Sequence, residues 1–140
     1  MEVMIETLLD TGALLAYLDA SDQHHAWVKQ QWQALHPPLL ICEPVLTEVI
    51  FLLRSRNLSL EPLWELFHRE ILEIDFEAKP ELTTIAVLMR RYANLPMDFA
   101  DACLVRMVEQ RRDARVFTLD RDFKIYRQHG RQVISLIFPD

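Results

Sequence analysis

The chain has 140 residues, 51% of them hydrophobic and only two of them Gly, which is enough for one domain, residues 1–140, with a proper core and a large share of regular structure. Its formal net charge of −6 argues at first against a nucleic-acid binder. The longest apolar runs are far too short to cross a bilayer, and no basic region leads into an apolar stretch at the start, so neither a membrane span nor a signal peptide is expected.

The two cysteines, Cys42 and Cys103, sit in apolar runs and lack zinc spacing, which suits buried free thiols in a reducing, cytoplasmic compartment. The charge is unevenly spread. Arg106 to Arg131 holds seven Arg and one Lys against four acids, whereas Glu61 to Glu81 holds seven acids against Arg69 and Lys79. A local basic surface therefore stays open despite the acidic total, alongside the plainer alternative of ordinary solvated helix faces. Arg106, Arg121 and Arg127 are the candidates for contact with phosphates.

In chain order, Met4 to Leu9 reads as a short strand ending at Asp10. Thr11-Gly12 makes the turn, and Ala13 to Leu18 starts a helix. Asp22 is a candidate N-cap for a helix to about Leu35, with His24 and His25 in its first turn as surface residues. Pro37-Pro38 breaks the chain before a buried strand, Leu39 to Cys42. A helix follows from Pro44 to Arg56, with Pro in the first turn, where its missing N–H costs nothing. Glu48 lies among its core-facing Val45, Val49 and Leu52, either inside the apolar stripe or at its edge.

Ser59 caps a helix from Leu60 to His68, and Ile71 to Ile74 is a third strand, followed by Asp75. Lys79 to Tyr92 is a helix, and Ala93 to Pro96 a loop. Met97 to Glu109 forms the central helix, N-capped by Asp98, with Phe99, Ala102, Cys103, Val105 and Met107 making it mostly apolar. Asp98 and Asp101 are three residues apart, so both carboxylates lie on one face of the first turn, where the helix dipole favours them. Arg115 to Thr118 is a fourth strand leading into Leu119-Asp120-Arg121-Asp122-Phe123. A helical turn through Tyr126 and a last strand, Gln132 to Leu136, complete the chain.

This alternation predicts an α/β fold: a single three-layer domain with a parallel sheet of about five strands, flanked by helices. Right-handed crossovers place every strand's carboxyl end on one edge. Asp10 and Asp120 follow strands there, and Glu48, Asp98 and Asp101 lie on helices that begin there. Such a ring of carboxylates repels itself unless a cation fills it. Hard divalent ions with a preference for oxygen, above all Mg2+ and Mn2+, fit that need, and they serve the attack of water on phosphodiesters. Thr11 and Thr118, beside key acids, could bond the carboxylates or a water at the metal, or could be plain strand-end turn residues.

Asp10 after the first strand, Glu48 in Glu-Pro-Val-Leu-Thr-Glu, Asp101 in Met-Asp-Phe-Ala-Asp-Ala and Asp120 in Thr-Leu-Asp-Arg-Asp-Phe resemble the acidic motifs of PIN-domain ribonucleases, from Leu8 to Leu136. Many bacterial and archaeal members are VapC-type toxins of toxin–antitoxin pairs. The resemblance implies a Mg2+- or Mn2+-dependent endoribonuclease, often a homodimer, acting on RNA. It implies Asp10, Glu48, Asp101 and Asp120 as metal-binding catalytic acids, with Asp98 an additional acid found in some members. In the last motif Asp120 is favoured as the ligand because it comes first after the strand, with Asp122 the alternative or a supporting acid; Asp122 is otherwise expected to cap the turn that follows. The toxin branch implies a cognate antitoxin; PIN domains outside such pairs also exist.

Two other enzyme and signalling classes compete. A receiver-type signalling domain shares the alternating pattern and would use Asp75 and Thr118, but it needs an acidic pair near strand one and a Lys after the last strand, where Phe138-Pro139-Asp140 stands. A haloacid-dehalogenase-like phosphatase needs a second Asp two residues after Asp10, where Gly12 stands. A catalytically idle PIN-fold interaction module keeps the fold but leaves a self-repelling cluster without a purpose.

Overall fold

The computed structural model describes residues 4–140. Its strands are β1 (Glu6–Leu9), β2 (Leu39–Ile41), β3 (Leu72–Ile74), β4 (Ala114–Phe117), β5 (Arg127–Gln128), β6 (Gln132–Val133) and β7 (Ser135–Ile137). Its helices are α1 (Thr11–Leu18), α2 (His25–Trp32), α3 (Glu43–Ser55), α4 (Glu61–His68), α5 (Leu82–Arg91) and α6 (Phe99–Glu109). Five strands form one parallel sheet in the order β3-β2-β1-β4-β7. In the central register Leu8 of β1 faces Leu40 on one side and Val116 on the other. Strands covered by helices on both faces read as continuous apolar runs. Leu8, Leu9, Leu39, Leu40, Ile41, Val116 and Phe117 are accordingly all buried.

The expected α/β three-layer architecture is therefore present. The strand order also decides between classes. Receiver domains run 2-1-3-4-5, whereas here β2 lies between β3 and β1. The order reverses between β1 and β4, and in open α/β sheets ligands gather at the carboxyl ends flanking that reversal. The receiver's Asp75 is exposed and ion-paired to Arg111 at 2.8 Å.

Helix α6 is the most enclosed. Ala100 to Val105, Met107 and Val108 are all buried, as befits a helix apolar on nearly every side. It touches β1, β4, α3 and α5, which fixes its N-terminus at the reversal point. Buried Asp19, just after α1, accepts from Ser21 and from Arg56 at 2.7 Å, tying α1 to the end of α3.

Several boundaries differ from expectation, each for a local reason. The second helix spans only His25–Trp32. Asp22 turns the chain before it by accepting from His24 N–H, and the His25 ring lies 2.7 Å from the Ala16 carbonyl, so His25 is a packing residue rather than a free surface one. Ser59 accepts from Glu61 N–H, and the helix proper begins there. Lys79–Glu81 is a tight 3-10 turn ahead of α5. The expected last strand divides in two. Gln132–Val133 pairs antiparallel with Arg127–Gln128 around Gly130 at φ +80°, and only Ser135–Ile137 joins the main sheet.

Candidate active site

Five acids converge on one cleft of about 260 Å3 at the reversal point: Asp10, Glu48, Asp98, Asp101 and Asp120, together with Thr11, Gly12 and Leu119. Oxygen atoms of Asp10, Asp101 and Asp120 all lie within 4.8 Å of one another. Four of the five acids are delivered by the end of a regular element, and Glu48 by the second turn of α3. Asp10 ends β1 and N-caps α1, its Oδ1 accepting Thr11 N–H at 2.8 Å. Asp98 N-caps α6 by accepting Asp101 N–H at 2.8 Å. Asp101 then sits in the first turn of α6, buried. Asp120 caps the short turn after β4 by accepting Asp122 N–H at 2.9 Å.

That last contact corrects one expectation. The residue that caps the turn is Asp120 itself, while Asp122 supplies the N–H it accepts and, through its carbonyl, accepts from Ile125 and Tyr126. Asp122 stands outside the group of three converging carboxylates.

Thr118 is fully buried and joins two of the acids. Its hydroxyl donates to Asp10 Oδ2 at 2.7 Å and accepts from Asp120 N–H at 2.9 Å. Thr11 differs: its hydroxyl is buried in the cleft wall with no hydrogen-bond partner among the described residues. An orphaned buried hydroxyl is costly in a finished core and calls for a polar occupant in the cleft.

The electrostatics agree with unmet charge. Burial pushes the Asp10 carboxyl up to about 6, against the pull of its Thr118 and Thr11 hydrogen bonds, with Asp120 and Asp98 adding repulsion. Burial, then the charges of Asp10 and Asp98, push Asp101 up to about 8, although Tyr126 works the other way. Half-buried Glu48 is raised by burial and then by Asp98 and Asp10. No lysine or arginine lines the cleft. The donor atoms are all carboxylate oxygens with one spare hydroxyl, which fits a hard divalent cation and fits a thiophilic metal poorly.

Sequence reading missed Tyr126. It is fully buried, and its hydroxyl donates to Asp101 Oδ2 at 2.8 Å. Its ring packs edge-on against Tyr92 and Phe123, with ring centres 5.1 Å away in each case. One Asp101 oxygen is therefore anchored and the other is left for the cleft. A tyrosine 25 positions away in the chain carries no local signal of such a contact. Tyr126→Phe is expected to keep the fold and to raise the Mn2+ concentration needed for half-maximal occupancy by about 10-fold, the usual scale for a residue that orients a ligand. Isothermal titration with Mn2+ measures it directly.

The three candidate arginines separate. Arg106 is committed to Glu81 at 2.6 Å and Glu109 at 2.7 Å, so its guanidinium pins α6 to the turn before α5. Arg127 donates to the carbonyls of Lys124, Ile125 and Tyr126, closing the turn that presents Tyr126. Arg121 is exposed beside Asp120 and has no ion pair among the described residues.

The family model of the PIN domain matches residues 7–128 of the chain. The chain is also 28% identical, over 124 residues, to Ribonuclease VapC26 of Mycobacterium tuberculosis (strain ATCC 25618 / H37Rv), an alignment covering 81% of this chain and 86% of that protein.

Proposed function

We propose that this chain, which belongs to the PIN domain family, is a divalent-cation-dependent endoribonuclease that hydrolyses RNA phosphodiester bonds. The observation that carries this reading is the convergence of Asp10, Asp101 and Asp120 oxygens within 4.8 Å at the sheet's reversal point. The relative named as a ribonuclease supports RNA as the substrate. The finer reading is a toxin of a toxin–antitoxin pair, formed by one nuclease domain over the whole chain. A cognate antitoxin is then its partner, a homodimer its assembly and the cytoplasm its location.

Asp10, Asp101 and Asp120 would hold the ion, with Glu48 and Asp98 at its margin. A bound Mg2+ or Mn2+ supplies Lewis-acid polarisation of the phosphodiester and makes hydroxide available near neutral pH. The remaining work belongs to the chain. Thr118 and Tyr126 hold Asp10 and Asp101 in fixed orientation, so little reorganisation is needed when substrate arrives. Glu48 makes no side-chain hydrogen bond among the described residues and faces the cleft with a raised pKa, which suits it to take up the proton of the attacking water. Arg121, beside the acids, is the contact for an RNA phosphate.

A cleavage assay on unstructured RNA tests the reading. Cleavage is expected with Mn2+ or Mg2+ and none with excess chelator. RNA affinity should fall steeply with salt, and Arg121→Glu should weaken binding and reduce the salt slope by about 1. Absence of cleavage in both metals, by a folded protein, would falsify the proposal.

A further inference from the structure

A second, larger hollow adjoins the cleft. It measures about 890 Å3, and Glu48 and Asp98 line both spaces. Its floor is apolar, with Phe76, Pro80 and Phe99. Phe99, one of the residues that make the central helix mostly apolar, is 37% exposed, although α6 behind it is buried from Ala100 to Val105. The ring is thus partly open to solvent at the first residue of the helix, and it lines the hollow together with Asp98. Glu43 and Glu77 line the same hollow, and Lys79 is the one cation lining it among the described residues.

This chemistry suits one part of an RNA strand and rejects another. Four carboxylates against one lysine disfavour a phosphate there. A nucleobase brings no charge, and its flat face stacks on an aromatic ring whatever its identity. Carboxylates accept from exocyclic amino groups, whereas uracil offers them only its N3–H, flanked by two carbonyls that they repel. Resting on the nuclease reading above, we propose that this hollow is a base subsite next to the scissile phosphate. Phe99 is the stacking platform, and Glu43 and Glu77 select bases that carry an amino group, adenine, cytosine and guanine, over uracil.

Binding of fluorescein-labelled penta-adenylate, pentacytidylate and pentauridylate tests this, with Ca2+ in place of Mn2+ to slow turnover. Wild type should bind the first two at least several-fold more tightly than pentauridylate. Phe99→Leu keeps apolar bulk and fold but removes the π face, and should weaken all three by about 10-fold. Phe99→Tyr should restore binding. The double change Glu43→Gln with Glu77→Gln should narrow the preference against uracil, because an amide can also donate to its carbonyls. Equal binding of the three oligonucleotides by wild type would overturn the selectivity. Unchanged affinity and unchanged KM in a folded Phe99→Leu protein that still cleaves RNA would overturn the subsite while leaving the nuclease reading in place. A wild type that neither binds nor cleaves RNA would overturn both.

Discussion

Asp10→Asn is expected to lower Mn2+-dependent RNA cleavage by about a thousandfold or more, since it would strip a charge from the proposed ion site and with it several kcal/mol of transition-state stabilisation. The fold should survive, for reasons visible around the side chain. Asparagine matches aspartate in volume, and its Oδ1 can still accept Thr11 N–H, the contact that caps α1. Its Nδ2 then faces Thr118, whose hydroxyl oxygen already accepts from Asp120 N–H and has a second lone pair for the new donor. Burial of a carboxylate with a raised pKa is also relieved. A melting point in chelator at or above that of wild type, together with lost cleavage, is the expected pair of results. Cleavage within about threefold of wild type would remove Asp10 from the site, and with it the converging carboxylates as the catalytic centre.

The acids were legible in the sequence because topology alone nearly determines their place. A parallel sheet with right-handed crossovers puts Asp10 and Asp120 at strand ends and Asp98 and Asp101 in a helix's first turn, all on one edge. Glu48 stood out as a carboxylate among apolar neighbours, and it is half-buried facing the cleft. The groups that orient these acids were less legible. Thr118 was recognisable only as a polar residue beside an acid, and its bonds to Asp10 and Asp120 depend on the pairing of β1 with β4, 108 positions apart. Tyr126 was hidden altogether, since its contact with Asp101 requires the tight turn and the small β5–β6 hairpin after it. Charge counting also gave Arg106 and Arg121 equal weight. Only the fold shows that Arg106 is spent on Glu81 and Glu109 while Arg121 faces solvent. Composition reports how many charges exist, and the partners of each follow from packing.

The stability of the ion-free protein should fall as pH rises from about 5 to about 8, and Mn2+ should abolish most of that fall. Asp10 and Asp101 are raised from an ordinary 3.8 to about 6 and about 8. Between these limits the folded state binds more protons than the unfolded state. The stabilisation is therefore complete below about pH 4, and is lost as pH climbs through the folded values, first for Asp10 and then for Asp101. In chelator the midpoint of thermal unfolding should drop by on the order of 5 °C or more across this window. Mn2+ held by the ionised, folded cluster would stabilise by mass action, so its effect should be larger at about pH 8 than at about pH 5. Asp101→Asn separates this linkage from general pH effects. The amide oxygen still accepts from Tyr126, so packing is kept while the charge most strongly opposed by its surroundings is gone. At about pH 8 in chelator this variant should melt above wild type, show a flatter pH profile and gain less from Mn2+. A wild-type melting point indifferent to Mn2+, or an Asp101→Asn protein that gains as much as wild type, would mean that the carboxylates repel one another without forming an ion site.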